Sequence, residues 1–253
     1  MISTKQAFLL STILTLSIFM HDMIAKSGFF VYEELYFVKD VIDGDTIELT
    51  NGEKVRLIGI NAPEINEPFG KEAKEFLSKM VNGKAVKLEK DFKLKDEYGR
   101  LLAFVFVDNI NINVEIVKNG LANTLYLSKL LKYSKELRKA ELQAVENQIG
   151  IWKRSNITCI KLLDLKFIGE EKIVLKNNCK FSVELDGWSI EDESNNRFVF
   201  PSYLFRPNEI IEVYSTNKSA KFSFRKNFPI WNREGDTLFL RDSKGMLVLF
   251  YRY

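Results

Sequence analysis

The sequence predicts a mixed α+β domain followed by an all-β domain, and three observations carry that prediction. Short apolar runs joined by tight turns fill the stretch from Leu35 to Ile60. Helical spacing of apolar residues appears at Gly70 to Met80 and returns after Asn113. Beyond Trp152 only runs of strand length remain. A chain of 253 residues has room for two ordinary domains, each with a real core.

Taken in order, the first element is an apolar segment. After Lys5, Ala7 to Met20 run apolar or hydroxylated for 14 residues before His21 and Asp22 interrupt, too short for a comfortable membrane span and suited to an export signal. Residues 1–27 therefore read as a signal peptide. The alternative is an uncleaved membrane anchor, because Met23-Ile24-Ala25 lacks the small residue expected two positions before Ala25. The expected location is secreted or extracytoplasmic, with membrane contact only if the segment is retained. No Cys follows the apolar run, which argues against a lipoprotein.

Phe37 to Ile42, Thr46 to Leu49 and Lys54 to Ile60 read as three strands of a meander, the last two joined by an Asn51-Gly52 hairpin turn. In Gly70 to Met80, residues Ala73, Phe76, Leu77 and Met80 share one helical face and the charged residues lie elsewhere. Strands resume at Ala85 to Glu89 and Leu101 to Val107, joined by a Lys- and Asp-rich connection ending in Tyr98-Gly99-Arg100. Two more helices are expected at Asn113 to Lys118 and Tyr133 to Glu146. Five strands with helices packed on them fit an OB-fold barrel over residues 35–153. Residues 158–253 offer seven short β-prone runs between turn formers, which indicates an immunoglobulin-like β-sandwich.

Charge limits the range of partners. The net charge is +3, and residues 28–156 carry 20 basic and 20 acidic side chains, so no strongly basic footprint exists. Binding of a polyanion must come from local placement of Lys and Arg. The two cysteines, Cys159 and Cys179, admit two readings: a disulfide closing a loop of about 20 residues, worth roughly 3 kcal/mol, or two buried thiols. Without histidine partners they cannot complete a zinc shell.

The chemistry-bearing residues cluster in Asp43-Gly44-Asp45-Thr46, Asn61-Ala62-Pro63-Glu64, Arg56 and Tyr98-Gly99-Arg100. Asp43-Gly44 alone is a common turn dipeptide, and either Arg alone is a surface ion pair. Placement changes that reading, because Asp45 and the Asn61 to Glu64 segment end neighbouring strands of a meander and can converge at one rim of the barrel. Carboxylate, amide and backbone carbonyl oxygens of this kind suit a hard cation such as Ca²⁺. The single histidine, His21, lies beside the export segment, so a histidine general base or histidine metal ligand is excluded by inventory. Glu64 remains to orient or deprotonate a water, and Arg56 and Arg100 can bind phosphate oxygens in fork geometry.

These motifs, in order and at these spacings, resemble the staphylococcal nuclease or thermonuclease family over Tyr36 to Trp152, including Asp96-Glu97-Tyr98-Gly99-Arg100-Leu101 and the closing Gly150-Ile151-Trp152. The resemblance implies a Ca²⁺-dependent hydrolase of DNA and RNA that cleaves the 5′ P–O bond and leaves 3′-phosphate ends. It implies Asp45 as a calcium ligand, Ala62 as a carbonyl ligand, Glu64 as the base and Arg56 with Arg100 as the phosphate-binding pair. Asn61 departs from the family, which usually has an aspartate there; Asn keeps an oxygen donor and removes a charge, so weaker calcium binding is expected. Asp43 is expected to fix the loop and nearby waters, and Tyr98 and Tyr126 either contact nucleotide or simply pack.

The C-terminal module resembles a lamin tail domain through Leu185-Asp186-Gly187-Trp188-Ser189-Ile190, Phe198-Val199-Phe200-Pro201, Trp231-Asn232 and Gly235 to Asp242. Trp188 and Trp231 read as core residues. Its expected task, binding nucleic acid or an envelope component, rests on analogy of fold. Two other readings of the whole chain stand beside the exported nuclease. One is an OB-fold nucleic-acid-binding protein with weak or no activity, motivated by Asn61 and the neutral charge. The other is a membrane-tethered adhesion or envelope module.

Overall fold

The computed structural model describes residues 34–125 and 129–253, apart from the side chain of Phe92; the expected export segment and Tyr126 lie outside the described residues. The first domain opens with β1 (Leu35–Val41), β2 (Thr46–Leu49) and β3 (Lys54–Leu57). They form the expected antiparallel meander; alternation buries Ile47 with Leu49 and Val55 with Leu57, and a register shift between Val38 and Asp40 lets both Val38 and Val41 face the same core. A short β4 (Ile60–Asn61) leads into helix α1 (Gly70–Val81), which buries Ala73, Leu77 and Val81 and packs Phe76 and Met80 at the margin of the same core.

Next come β5 (Ala85–Lys95), β6 (Leu101–Val107), β7 (Ile110–Asn111), α2 (Ile112–Lys118), β8 (Asn123–Thr124) and α3 (Ser134–Glu146). Strand β5 runs past the expected end at Glu89, and its pairing with β6 skips between Lys90 and Lys95. The Lys- and Asp-rich stretch is therefore a solvated hairpin arm, which explains its composition. The sheet order is β3-β2-β1-β5-β6-β7, and β3 also pairs in parallel with β6 through Val55 with Leu101 and Arg56 with Leu102. That pairing closes the five main strands into an OB-type barrel and removes their free edges. It also sets Arg56 beside the first residues of β6, next to Arg100.

The second domain contains β9 (Ile160–Lys166), β10 (Lys172–Asn177), β11 (Val183–Glu184), β12 (Ser189–Glu191), β13 (Arg197–Val199), β14 (Leu204–Phe205), β15 (Ile210–Tyr214), β16 (Thr237–Arg241) and β17 (Leu247–Arg252). Two of these, β11 and β14, were not expected from sequence; each is two residues long and pairs only with the other, too short for a period to show. A three-stranded sheet, β15-β10-β9, and a four-stranded sheet, β13-β12-β16-β17, enclose one core. Trp188 and Trp231 belong to it, at 4% and 3% exposure. Cys159 and Cys179 are disulfide-bonded, tying the approach to β9 to the turn after β10.

The two domains share packing as well as a linker. Ala144 of α3, with Ile151 and Trp152 of the following 3₁₀ turn, forms a buried cluster with Phe239 and Leu247 of the sandwich. The Trp152 ring lies 5.7 Å from Phe239 and 5.6 Å from Phe250. Arg252 crosses to the buried Glu141 of α3 with bonds of 2.6 and 3.1 Å. No helix among the described residues is long and apolar enough to cross a membrane.

Candidate active site

The site begins with the turn between β1 and β2. Asp43 Oδ1 accepts the Asp45 N–H at 3.0 Å, which closes the turn, and Gly44 presses against the neighbouring segments. A Cβ on Gly44 would lie 2.6 Å from Ala73 Cβ and 2.7 Å from Ala62 Cβ, so only glycine allows this approach. Asp45 is thereby carried against the loop that follows β4. Its Oδ2 accepts the Ala62 N–H at 2.9 Å, and its Oδ1 accepts from Thr46 Oγ1 at 3.0 Å.

Arg56 joins the same group from β3. Its Nη1 donates to Ile60 O at 3.0 Å and its Nη2 to Asn61 Oδ1 at 2.8 Å, while Nη2 stands 3.3 Å from Asp45 Oδ2. The structure thus places Arg56 as a brace between Asp45 and Asn61. Arg100, expected as its partner, stands on the groove side. Asp96 accepts both its N–H, at 2.9 Å, and its Nε, at 2.7 Å, and Arg100 Nη1 reaches Thr46 Oγ1 at 3.5 Å. Its guanidinium lies 5.4 Å from the centre of the exposed Tyr98 ring. Burial alone would raise the Asp96 carboxyl, but its bonds to Arg100 outweigh that and hold it low.

Glu64 follows on the loop after β4. Its carboxylate is exposed and makes no hydrogen bond or ion pair among the described residues. Partial burial, then Asp43 and Glu67 nearby, raise its pKa above the usual glutamate value, against the pull of Arg56 and Arg100. Asp45 is pushed up to about 6, first by burial and further by Asp43, with Arg56 pulling the other way. The charge of Asp43 thus raises the proton affinity of both Asp45 and Glu64.

A hard cation such as calcium fits this donor set, which is made of oxygen alone: the Asp45 carboxylate, the Asn61 amide oxygen and the Ala62 carbonyl. The Asn61 oxygen already accepts from Arg56 and the Ala62 carbonyl from Asn195 Nδ2 at 3.1 Å, which leaves each a second lone pair. Asn61 Nδ2 is buried and has no hydrogen-bond partner among the described residues, so the amide nitrogen is the misfit of the set. Among the described residues no three His, Cys, Asp or Glu side chains form a group that could hold a metal by themselves. Beside the donors a groove of about 310 Å³ is lined by Arg56, Lys93, Asp96, Tyr98, Arg100, Leu125 and others. Its basic and aromatic lining suits a phosphate with an attached base.

Several contributors escaped sequence reasoning. Thr46, the last residue of the Asp43-Gly44-Asp45-Thr46 motif, links Asp45 to Arg100 through its hydroxyl, a role the motif itself does not assign. Buried Asn113 of α2 donates Nδ2 to Ile58 O at 3.0 Å and accepts the Val105 N–H at 3.0 Å, fixing the turn after Arg56. Neither the helical pattern nor any motif marks it.

An OB barrel whose rim gathers carboxylates, two guanidinium groups and a phosphate-sized groove defines a nuclease of the barrel class. Comparison with known proteins agrees. The family described as "Staphylococcal nuclease homologue" matches residues 54–154 and "Lamin Tail Domain" matches residues 147–253. The chain is 39% identical over 138 residues to the thermonuclease of Staphylococcus intermedius, covering 51% of this chain and 82% of that protein. It is 36% identical over 129 residues to the thermonuclease of Staphylococcus hyicus, covering 47% and 76%. Endonuclease YncB of Bacillus subtilis is 35% identical over 125 residues, covering 45% and 59%. The chain belongs to the staphylococcal nuclease family, and a lamin tail domain follows its nuclease domain.

Proposed function

We propose that the protein is an exported, calcium-dependent nuclease that hydrolyses DNA and RNA and leaves 3′-phosphate ends. The observation that carries this reading is an exposed, otherwise uncommitted Glu64 carboxylate beside an oxygen-only donor set and two guanidinium groups. Asp45, Asn61 and the Ala62 carbonyl would hold the calcium, whose charge offsets that of the phosphodiester. Asp43 holds the loop that carries Asp45. Glu64 takes a proton from the attacking water as the water oxygen bonds to phosphorus; the bond to the 5′ oxygen breaks, and that oxygen keeps the electron pair and takes a proton from solvent to leave as a 5′-hydroxyl. Arg100, aimed by Asp96, binds a phosphate oxygen and offsets the charge that grows in the transition state. Arg56 serves the same phosphate from the inner wall of the groove while fixing Asp45 and Asn61. Tyr98 offers its ring to a nucleotide base at the groove, and Tyr126, outside the described residues, is proposed to contact nucleotide as well.

The raised Glu64 pKa supports its role as base, since a stronger base takes a proton more readily. Export is supported by the apolar segment at 7–20 and by the disulfide, which suits an oxidising compartment. The lamin tail domain is proposed to bind nucleic acid or an envelope component, and retention at a membrane depends on the fate of residues 1–27. Incubating the full chain with DNA and RNA, in calcium or in chelator, tests the reading. Calcium-dependent fragments ending in 3′-phosphate are expected; intact substrate in every condition from a folded protein favours the nucleic-acid-binding alternative.

A further inference from the structure

The loop from Asn61 to Phe69 carries the Ala62 carbonyl and Glu64, and much of its support comes from the other domain. Between β4 and α1 it has no strand or helix of its own, and two turns, closed by the Glu67 N–H to Glu64 O bond of 2.8 Å and the Gly70 N–H to Glu67 O bond of 3.0 Å, make up its internal structure. Opposite stands the turn between β12 and β13. There Asp192 Oδ1 accepts the N–H groups of Ser194 at 2.9 Å and Asn196 at 2.7 Å, and Oδ2 accepts from Asn196 Nδ2 at 2.6 Å. This turn presents Asn195 in a left-handed conformation, φ 65°.

Two bonds cross from that turn and the start of β13 to the loop, and a third joins the turn to the strand beside Asn61. Asn195 Nδ2 donates to Ala62 O at 3.1 Å. Arg197 Nη1 donates to Glu67 Oε1 at 3.0 Å, while Glu67 Oε2 accepts the Glu64 N–H at 3.0 Å, so the second domain reaches the backbone of Glu64 through one intermediary. On the other flank Asn123 Nδ2 donates to Glu193 O at 3.2 Å, and Asn123 is the strand partner of Asn61. Packing locks the same contact, since a Cβ on Gly245 would lie 2.3 Å from Pro68 Cβ.

We propose that Asn195 is a positioning residue for the nuclease site: with Arg197 acting through Glu67, it holds the Ala62 carbonyl and the Glu64 backbone in place, so the lamin tail domain completes the active site. Other bonds between the domains, such as Arg252 to Glu141, lie away from the site, whereas these fall on the carbonyl proposed as a ligand, on the Glu67 carboxylate that holds the Glu64 N–H, and on the strand residue opposite Asn61. The neutral Asn61 attracts a cation less than an aspartate would, so pre-setting the remaining oxygens counts for more here.

This inference rests on the proposed roles of Ala62 and Glu64, and its test separates the two. Asn195→Gly keeps the left-handed backbone and removes only the donor; Asn195→Asp keeps size and turns an acceptor toward the carbonyl. For both full-chain variants, hydrogen exchange of residues 62–67 without metal, and calorimetric titration with Ca²⁺ alone, are compared with the parent. Faster exchange and calcium binding weakened about tenfold are expected, more for Asn195→Asp, with unfolding still cooperative. Unchanged exchange and unchanged calcium binding in Asn195→Gly overturn the proposal, and tighter calcium binding overturns it in favour of a plug on the carbonyl. A parent chain that cleaves no nucleic acid sinks the nuclease reading instead, while the exchange data still decide the role of Asn195.

Discussion

Asn61 is where this chain departs most from the chemistry its site requires. Its oxygen is held by Arg56 and its amide nitrogen is buried without a partner among the described residues, an arrangement that costs about 1–3 kcal/mol. Asn61→Asp replaces the orphaned nitrogen with an oxygen and adds a charge to the donor set, so calcium binding tightened about tenfold is expected by titration. An unchanged titration would show that position 61 does not contact the ion. Asp192 makes the opposite kind of prediction. Burial first, and Asp236 nearby, raise its pKa from 3.8 to about 6, against its bonds to Asn196. The stability this acid contributes is full below its unfolded value and is lost as pH rises through about 6, on the order of 3 kcal/mol. Asp192→Asn cannot ionise, so its melting temperature relative to the parent is expected to improve between pH 4 and pH 7. A constant difference across that range would contradict the buried-acid assignment.

Elements bring the residues together, and here the β1–β2 turn is decisive. Gly44 wedges it between Ala62 and Ala73, so Gly44→Ala must push the loop or the helix away. Overpacking of this kind costs about 1–3 kcal/mol, and a lowered urea midpoint together with weakened calcium binding is the expected result. Loss of stability alone would mean that Asp45 keeps its place. The meander, the first helix and the Glu64 and Arg100 motifs were legible in the sequence because each is local: a period, a turn dipeptide or a run of charges identifies it. The parallel β3–β6 pairing was not, because it joins strands 46 residues apart, Val55 with Leu101, and nothing near either announces the partner. Strand β5 was read short because its outer half lies on a solvated arm where apolar alternation fades. The bonds of Asn113 to Ile58 and of Arg100 to Thr46 join residues 55 and 54 positions apart and leave no pattern in either neighbourhood.

At the scale of the whole molecule the two domains share a core and an electrostatic clamp. Glu141, 1% exposed, accepts from Arg252, from Arg138 at 2.7 Å and from the Thr124 N–H at 2.8 Å. Burial would raise its pKa, but Arg252 first and then Thr124 lower it overall. Arg252→Ala leaves a buried carboxylate with less compensation and is expected to cost about 3 kcal/mol in urea unfolding. A change below about 0.5 kcal/mol would show that Arg138 and Thr124 suffice alone. The Asn195 and Arg197 contacts were invisible in the sequence for the same reason as this clamp, since they join turns more than 100 residues apart.

The central claim is that one exposed carboxylate at the rim of this barrel drives phosphodiester cleavage. It is tested most directly by single-turnover cleavage of a DNA oligonucleotide by Glu64→Gln at saturating calcium. A rate at least about a hundredfold below the parent's, with calcium binding and melting temperature retained, is the predicted result. Cleavage within about threefold of the parent, under the same conditions, would contradict the assignment of Glu64 as the base.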